Sequence, residues 1–176
     1  MASTASITSV NSALKAKAKP SSPNTGMKDE YLRKMASALT EILSATYRLT
    51  IKSHIYHWNV TGPLFKPIHE MTEEHYNDMF AASDVIAERI RALGQLAPVR
   101  VKDTSAFAPK SVAEESGTAE AMVEDLINEH EALSRTLREA TGKAEDGDDV
   151  VTADMLTGRL TFHEKAVWML RATISA

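Results

Sequence analysis

The chain is organised around residues 57–88, which read HWNVTGPLFKPIHEMTEEHYNDMFAASDVIAE. This stretch holds five side chains of the kinds that bind first-row metals: His57, His69, Glu73, Asp84 and Glu88. Two pairs are spaced by four residues, so each pair lies on one face of a helix: His69 with Glu73, and Asp84 with Glu88. Imidazole and carboxylate together suit iron, manganese or zinc. The spacing alone also allows an ordinary solvated helix face with one structural histidine.

The separation of the two pairs limits how they can share a metal. Glu73 and Asp84 are 11 residues apart. At ~100° per residue they lie about 20° apart around the helix, on the same face. Along the axis they are about 16 Å apart, at about 1.5 Å per residue. A metal about 2 Å from each ligand cannot span that distance. The pairs can bind one metal only across an antiparallel two-fold pairing of two copies of the helix, which makes two equivalent sites.

The composition narrows the class of protein. With 176 residues the chain is long enough for one domain with a sizeable core. The 7 glycines and 6 prolines are too few for an all-β fold with many turns. The absence of cysteine excludes disulfides, thiolate metal sites and thiol catalysis, and fits a cytoplasmic protein. No apolar run approaches the roughly 18 residues of a membrane helix, and the N-terminus lacks the apolar core of a signal peptide.

Residues 1–27 are predicted to form a flexible tail, because they are rich in Ser, Thr, Ala and Lys and sustain no helical or strand period. Residues 1–28 hold four of the 20 basic residues and none of the 24 acidic ones, so the rest of the chain carries a net charge of −8. The basic feature of the tail is the run Lys15, Lys17 and Lys19. Two interpretations remain open, a solubilising tail and an arm that contacts DNA phosphates without sequence specificity.

Four long helices are predicted from apolar residues that recur every three or four positions. They cover residues 28–58, 65–93, about 118–141 and about 152 onward, with Thr118 and Thr152 as the expected N-caps of the last two. Gly62 and Pro63 separate the first two helices, and Gly94 is the expected end of the second.

The connection between the second and third helices is long. It covers residues 94–117, and its centre, around residues 104–110, is expected to hold a short helix. Four long helices with one long connection predict an all-α, ferritin-like four-helix bundle over residues 28–176.

Several motifs occur together in this chain. They are HWNV at 57–60, Gly62, Phe65, HE at 69–70, Asp84 and IAER at 86–89, with TADMLT at 152–157 and HEK at 163–165 in support. In this combination the chain resembles the Dps family, the mini-ferritins known as DNA-binding proteins from starved cells. The resemblance covers about residues 28–176, the whole expected bundle.

The resemblance implies a hollow dodecamer that oxidises Fe2+, with hydrogen peroxide as the preferred oxidant, stores the ferric mineral and protects DNA. It implies ferroxidase centres at the two-fold interfaces, with His57, His69 and Glu73 from one subunit and Asp84 and Glu88 from its mate. The family usually has Asp where this chain has Glu73. Zinc or manganese can occupy the same kind of site. If the particle binds DNA, it is expected to associate with the nucleoid.

Acidic residues between the third and fourth helices have two possible roles. They are Asp146, Asp148, Asp149 and Asp154. Around a three-fold axis, each becomes a ring of three carboxylates that attracts cations, and Asp149 and Asp154 are the favoured candidates for such an iron-entry pore. The alternative is capping of the fourth helix and solvation.

Other functions remain open. The larger ferritins use Glu-x-x-His pairs within one chain, and no Glu here has His three residues later, so an intrachain di-iron site lacks its ligands. Two rivals to a ferroxidase remain. One is a DNA-compacting particle with weak ferroxidase activity, and the other is a zinc- or manganese-binding oligomer without redox turnover.

Overall fold

The computed structural model describes residues 17–98, 101–111 and 117–175. Its long helices are α1 (Asp29–Asn59), α2 (Phe65–Ala92), α3 (Ala119–Asp146) and α4 (Val150–Ile174). A 3-10 helix, Val101–Phe107, lies in the connection between α2 and α3. No strand occurs among these residues, so the predicted all-α class, the four helices and the short helix in the long connection are confirmed.

The helices pack as two hairpins. α1 lies along α2 and α3 lies along α4, and the hairpins meet mainly through α1 and α3. The core consists of the apolar stripes of all four helices, with fully buried side chains that include Leu39, Ile42, Ile68, Met79, Ile90, Leu126, Leu156 and Leu170. Each such side chain contributes roughly 1.5–3 kcal/mol through burial. None of the helices in the described part of the chain is long and apolar enough to cross a membrane.

The hairpins are also joined by a buried ion pair. Lys52 on α1 is only 2% exposed, and its ammonium lies 2.7 Å from Glu129 and 2.9 Å from Asp125 on α3. Tyr56, one turn further along α1, donates a hydrogen bond to Asp125. The two carboxylates together compensate the buried ammonium of Lys52, so the contact joins α1 to α3.

The end of α2 follows the prediction. Gly94 has a φ of +83°, a conformation that favours glycine. Its N–H donates to the carbonyl of Arg91 at 2.9 Å, and the N–H of Gln95 donates to the carbonyl of Ile90 at 3.2 Å. These two hydrogen bonds form the Schellman motif, which satisfies carbonyl groups at a helix end.

Part of the predicted N-terminal tail lies against this turn. Residues 17–27 contain no helix or strand, but the N–H of Ser21 donates to the carbonyl of Gly94 at 2.7 Å. Residues 17–27 therefore contact the bundle, whereas the sequence predicted a flexible tail. Lys17 and Lys19 are exposed, and Lys15 lies outside the described residues.

The end of α3 was predicted wrongly. We expected the helix to end near residue 141, but residues 142–146 continue it to Asp146. Gly142 does not end the helix, because Ala144 is fully buried in the next turn. That packing outweighs the roughly 1 kcal/mol helix penalty of a glycine.

The N-caps of α3 and α4 were predicted with mixed success. Thr118 caps α3 as expected, accepting a hydrogen bond from the N–H of Ala121 at 3.2 Å. α4 begins earlier than expected, and its cap is Asp149 rather than Thr152. The Asp149 carboxylate accepts a hydrogen bond from the N–H of Thr152 at 3.0 Å. Aspartate is a stronger N-cap than threonine, which explains the earlier start.

The core contains a buried histidine layer, formed by His75 of α2, His130 of α3 and His163 of α4. The Nδ1 atoms of His130 and His163 are 2.8 Å apart, and the ring of His75 meets that of His130 edge-on at 5.3 Å between centroids. Burial lowers the pKa of His75 to about 4 and that of His163 to about 3, and holds the pKa of His130 well below its usual value. The three rings are therefore neutral at pH 7.

Candidate metal centre

His57 and His69 meet where α1 turns into α2. α1 ends at Asn59 and α2 begins at Phe65, and Gly62 in the loop between them has a φ of +84°. The short loop brings the two imidazole rings face to face, with centroids 3.7 Å apart and planes 16° from parallel. His57 is 9% exposed and His69 is half-buried. The structure therefore brings together the two histidines that the sequence predicted as ligands.

Both rings are oriented by backbone carbonyl groups. The Nδ1 atom of His57 donates to the carbonyl oxygen of His69 at 2.8 Å, and the Nδ1 atom of His69 donates to the carbonyl oxygen of His57 at 2.8 Å. A carbonyl oxygen can only accept, so Nδ1 carries the proton in each neutral ring. Nε2 is then the bare nitrogen of both rings, and a carbonyl contact of this kind fixes the tautomer of a metal-binding histidine.

Glu73 is exposed on α2, one turn beyond His69. Burial and then the negative charge of Glu73 raise the pKa of Tyr76, three residues further along α2. The third predicted ligand therefore lies exposed on the same helix face as His69.

Asp84 and Glu88 are both exposed further along α2. Across residues 17–98, 101–111 and 117–175, no three His, Asp or Glu side chains form a group that can hold a metal ion. The structure thus does not bring Asp84 and Glu88 to the two histidines within one subunit. This agrees with the axial distance between the two pairs, which one metal cannot span.

Several large apolar side chains of α1 and α2 are exposed. Large apolar side chains on α1 and α2 are exposed by 36 to 68%: Ile51, Trp58, Phe65, Phe80 and Val85. Phe80 lies on α2 between Glu73 and Asp84 and is 63% exposed.

The two aspartates proposed for a pore differ in exposure and in their contacts. Asp149 is 2% exposed, and its carboxylate lies 2.6 Å from Arg89 Nη2 and 3.0 Å from the hydroxyl of Tyr31. Burial opposes its ionisation, but the hydrogen bonds of Thr152 and the charge of Arg89 outweigh burial and lower its pKa. Asp149 is therefore a capping residue whose oxygens are occupied within the subunit, and we do not propose it as a pore residue. Asp154 is exposed, and its role in a pore stays a prediction.

Sequence reasoning missed the ring contacts beside the centre. His54 stacks on Tyr76 at 3.8 Å between centroids and on Trp58 at 5.4 Å. The ring of Tyr76 also meets His57 edge-on at 5.4 Å. The available signal was that His54 lies three residues before His57, hence on the same face of α1.

Comparisons with known proteins agree with this fold. Residues 36–176 match the family model of the ferritin-like domain. The chain is 37% identical over 127 residues to DNA protection during starvation protein 2 of Bacillus anthracis, covering 72% of this chain and 87% of that protein. It is 37% identical over 153 residues to a low temperature-induced protein of Nostoc sp., covering 86% of each. The crystal structure of a Dps protein from Bacillus brevis superposes with a TM-score of 0.77 at 32% identity, covering 85% of this chain and 100% of that one.

Proposed function

The chain belongs to the Dps family of ferritin-like proteins, and we propose that it oxidises Fe2+ at sites shared by two subunits and stores the ferric product. The observation that carries the proposal is the reciprocal contact of His57 and His69. It leaves the Nε2 atoms of both rings bare, and the next turn of α2 after His69 carries Glu73. Two nitrogens and one carboxylate suit iron, and they leave coordination positions open for further ligands.

The remaining ligands come from the mate, in our proposal. His69 and Glu88 are equally distant from the point of α2 between Asp78 and Met79, and so are Glu73 and Asp84. If two copies of α2 pair antiparallel about that point, His69 meets the mate's Glu88, and Glu73 meets the mate's Asp84. Phe80 lies beside the same point, so the pairing would also cover its exposed ring. One two-fold axis therefore accounts for both the split ligand set and the exposed ring of Phe80.

The reaction that we propose is a two-electron reduction of hydrogen peroxide. Two Fe2+ ions each lose one electron, and the peroxide takes up these electrons with two protons and leaves as two waters. No hydroxyl radical is released, because both electrons arrive together. Dioxygen is the slower oxidant in this proposal. The carboxylates Glu73, Asp84 and Glu88 favour Fe3+ over Fe2+ through their negative charge.

Storage and protection follow from assembly. We propose that twelve subunits enclose a cavity in which the ferric product accumulates, and that Asp154 contributes to an entry pore. Removing Fe2+ and peroxide together protects DNA, which agrees with the names of the relatives from Bacillus anthracis and Brevibacillus brevis. The alternative is that the same ligands bind zinc or manganese without turnover. An assay of iron oxidation distinguishes this alternative from the proposed ferroxidase.

The test is oxidation of Fe2+ by the purified protein, with hydrogen peroxide and with dioxygen in separate runs, alongside the particle mass from light scattering. We expect a mass near twelve subunits, fast oxidation with peroxide, and loss of rate in Glu73→Gln. The matched control is Glu74→Gln, which neutralises the exposed neighbouring carboxylate. A rate no faster than that in buffer would contradict the proposal.

A second candidate function is binding of DNA. It is favoured by the exposure of Lys17 and Lys19, which emerge beside the end of α2. Residues 29–176 carry −8 and repel phosphates, so these lysines and Lys15 would have to supply the attraction. Twelve copies of such an arm on one particle would bind more strongly than one.

A further inference from the structure

Residues 19–23 are docked on the C-terminal end of α2, and we call them the N-terminal strap. The N–H of Ser21 donates to the carbonyl oxygen of Gly94 at 2.7 Å. The Nη1 atom of Arg91 donates to the carbonyl oxygen of Lys19 at 3.5 Å. Two backbone groups of the strap are therefore bound by the end of one helix.

Gly94 is shaped to receive the strap. A Cβ atom at this position would lie 2.2 Å from the carbonyl oxygen of Ser21 and 2.7 Å from Cδ of Pro23. Both separations are too short for atoms that are not bonded, so a side chain here would displace the strap. Gly62 has nearly the same φ, +84° against +83°, but a Cβ atom there would meet no atom within 4 Å. The close approach at Gly94 is therefore a requirement beyond the left-handed backbone that both glycines share.

The sequence of the strap favours docking. Pro20 and Pro23 flank Ser21 and Ser22. Each proline ring fixes φ, so the strap has fewer conformations to lose when it binds to α2.

Docking brings Lys19 against Arg91, with Lys17 two residues away along the chain. All three residues are exposed. Arg89 forms an ion pair with Asp149 at 2.6 Å, whereas the hydrogen bonds of Arg91 go to backbone carbonyl oxygens. Carbonyl oxygens are neutral, so the positive charge of Arg91 adds to that of the two lysines.

We propose that the docked strap and the end of α2 form one phosphate-binding surface for duplex DNA, in which Arg91 contacts phosphates together with Lys17 and Lys19. Gly94 holds the strap in place for this contact. The inference rests on the second candidate function, because it requires that the particle binds DNA. It differs from binding by a free arm, since one contact comes from the bundle and the lysines are held before DNA arrives.

The charge of Arg91 is tested by the salt dependence of binding. The assembled full-length protein is titrated into a short, fluorescently labelled duplex of mixed sequence at several salt concentrations, and anisotropy gives the affinity. We expect Arg91→Gln to weaken binding and to flatten the plot of log affinity against log salt as much as Lys17→Gln does. The expected change in slope is about 0.9 for each surface that contacts the duplex. Arg135→Gln is the matched control, because it removes the same charge from an exposed position of α3.

Gly94→Ala tests docking with every charge retained. We expect faster hydrogen exchange at the N–H of Ser21, which loses its acceptor. We also expect DNA binding to weaken by about 3-fold or more, because the freed lysines must then be ordered when DNA binds. Gly62→Ala is the matched control, since it places a side chain on the same left-handed backbone without a close neighbour.

The outcomes separate this inference from the function on which it rests. Failure of the wild type to bind the duplex at low salt would contradict DNA binding and this inference together. If the wild type binds, equal affinities of Arg91→Gln and Arg135→Gln would overturn this inference alone. Unchanged affinity in a Gly94→Ala particle that has lost protection at Ser21 would overturn it as well. If Gly94→Ala does not assemble, the comparison of the two arginine variants still decides the inference.

Discussion

The Nδ1 atoms of His57 and His69 each lie 2.8 Å from the backbone carbonyl oxygen of the other residue. Metal-binding histidines are usually oriented by a hydrogen bond from the other ring nitrogen to a carboxylate, a backbone carbonyl or a water. Here each histidine is oriented by the other's main chain, which no side-chain substitution removes. The two bare Nε2 atoms are therefore a property of the turn between α1 and α2, and they exist in a single subunit before any partner arrives.

Complementation between inactive variants tests whether the ligands come from two subunits. We expect His57→Ala and Asp84→Ala each to slow iron oxidation by at least about 10-fold, since each loses a direct ligand. Random co-assembly of equal amounts makes half of the interfaces mixed, and each mixed interface has one complete site. About a quarter of the activity should then return, measured as the initial rate of iron oxidation.

The control for this experiment is a mixture that cannot complement. His57→Ala mixed with His69→Ala places both losses in the same half of the site, so no interface contains a complete site in that mixture. An absence of recovery for His57→Ala with Asp84→Ala, despite co-assembly shown by mass spectrometry, would rule out sharing of ligands.

Replacing Lys15, Lys17 and Lys19 by Ala should abolish retardation of DNA in gels. The variant keeps Ser21, so the contact with Gly94 and the start of the bundle are preserved. Wild-type binding should be independent of sequence and should fade as salt rises, because phosphate neutralisation releases counterions. Lys34→Ala is the control, since it removes an exposed lysine of α1 that pairs with Glu30. Retardation by the triple variant at low salt would assign binding to another surface.

Asp149 and Asp154 should respond to substitution in opposite ways. Asp149→Ala leaves Arg89 without its partner and α4 without its cap, so we expect the free energy of unfolding to fall by about 3 kcal/mol. Asp154→Ala removes an exposed carboxylate and should change it by less than about 0.5 kcal/mol. Urea unfolding measures both.

The kinetics of Asp154→Ala test the pore. If Asp154 attracts Fe2+ at an entry, Asp154→Ala should slow iron uptake in low salt and leave binding of Co2+ at the ligand site intact. Unchanged uptake across salt concentrations would remove Asp154 from the pore.

The buried histidine layer should make the fold sensitive to acid. Burial lowers the pKa of His163 to about 3, while an unfolded chain has an ordinary value near about 6.5. The unfolded state therefore binds more protons between these values, so stability is fully present above about pH 6.5 and is lost as the pH falls. The loss is roughly 1 kcal/mol per pH unit for each such histidine.

A variant that lacks both His130 and His163 tests whether the buried histidine layer causes the acid sensitivity. In His130→Leu/His163→Leu both hydrogen-bonding partners are removed together, so no half of the pair is left buried alone. Its melting temperature should fall less than that of the wild type between pH 7 and about pH 4.5. Parallel pH profiles for wild type and double variant would show that the layer does not govern acid stability.

Features that depend on neighbours along the chain were predictable from sequence. The apolar period of α1 and α2, the stop at Gly94 and the cap at Thr118 all arise within one or two helical turns. The spacing of His69, Glu73, Asp84 and Glu88 is likewise a property of one helix. Helix geometry converts such local spacings into faces and distances without knowledge of the rest of the fold.

Only the tertiary structure decided which partners the side chains contact across helices. Asp149 had two interpretations in the sequence, and its burial against Arg89, 60 residues away, chose capping. The stacking of His54 on Tyr76 and the meeting of His130 with His163 likewise join residues on different helices. Burial and hydrogen bonding across helices depend on how the helices pack, and helical periodicity gives a residue's face but not the partner on the other side.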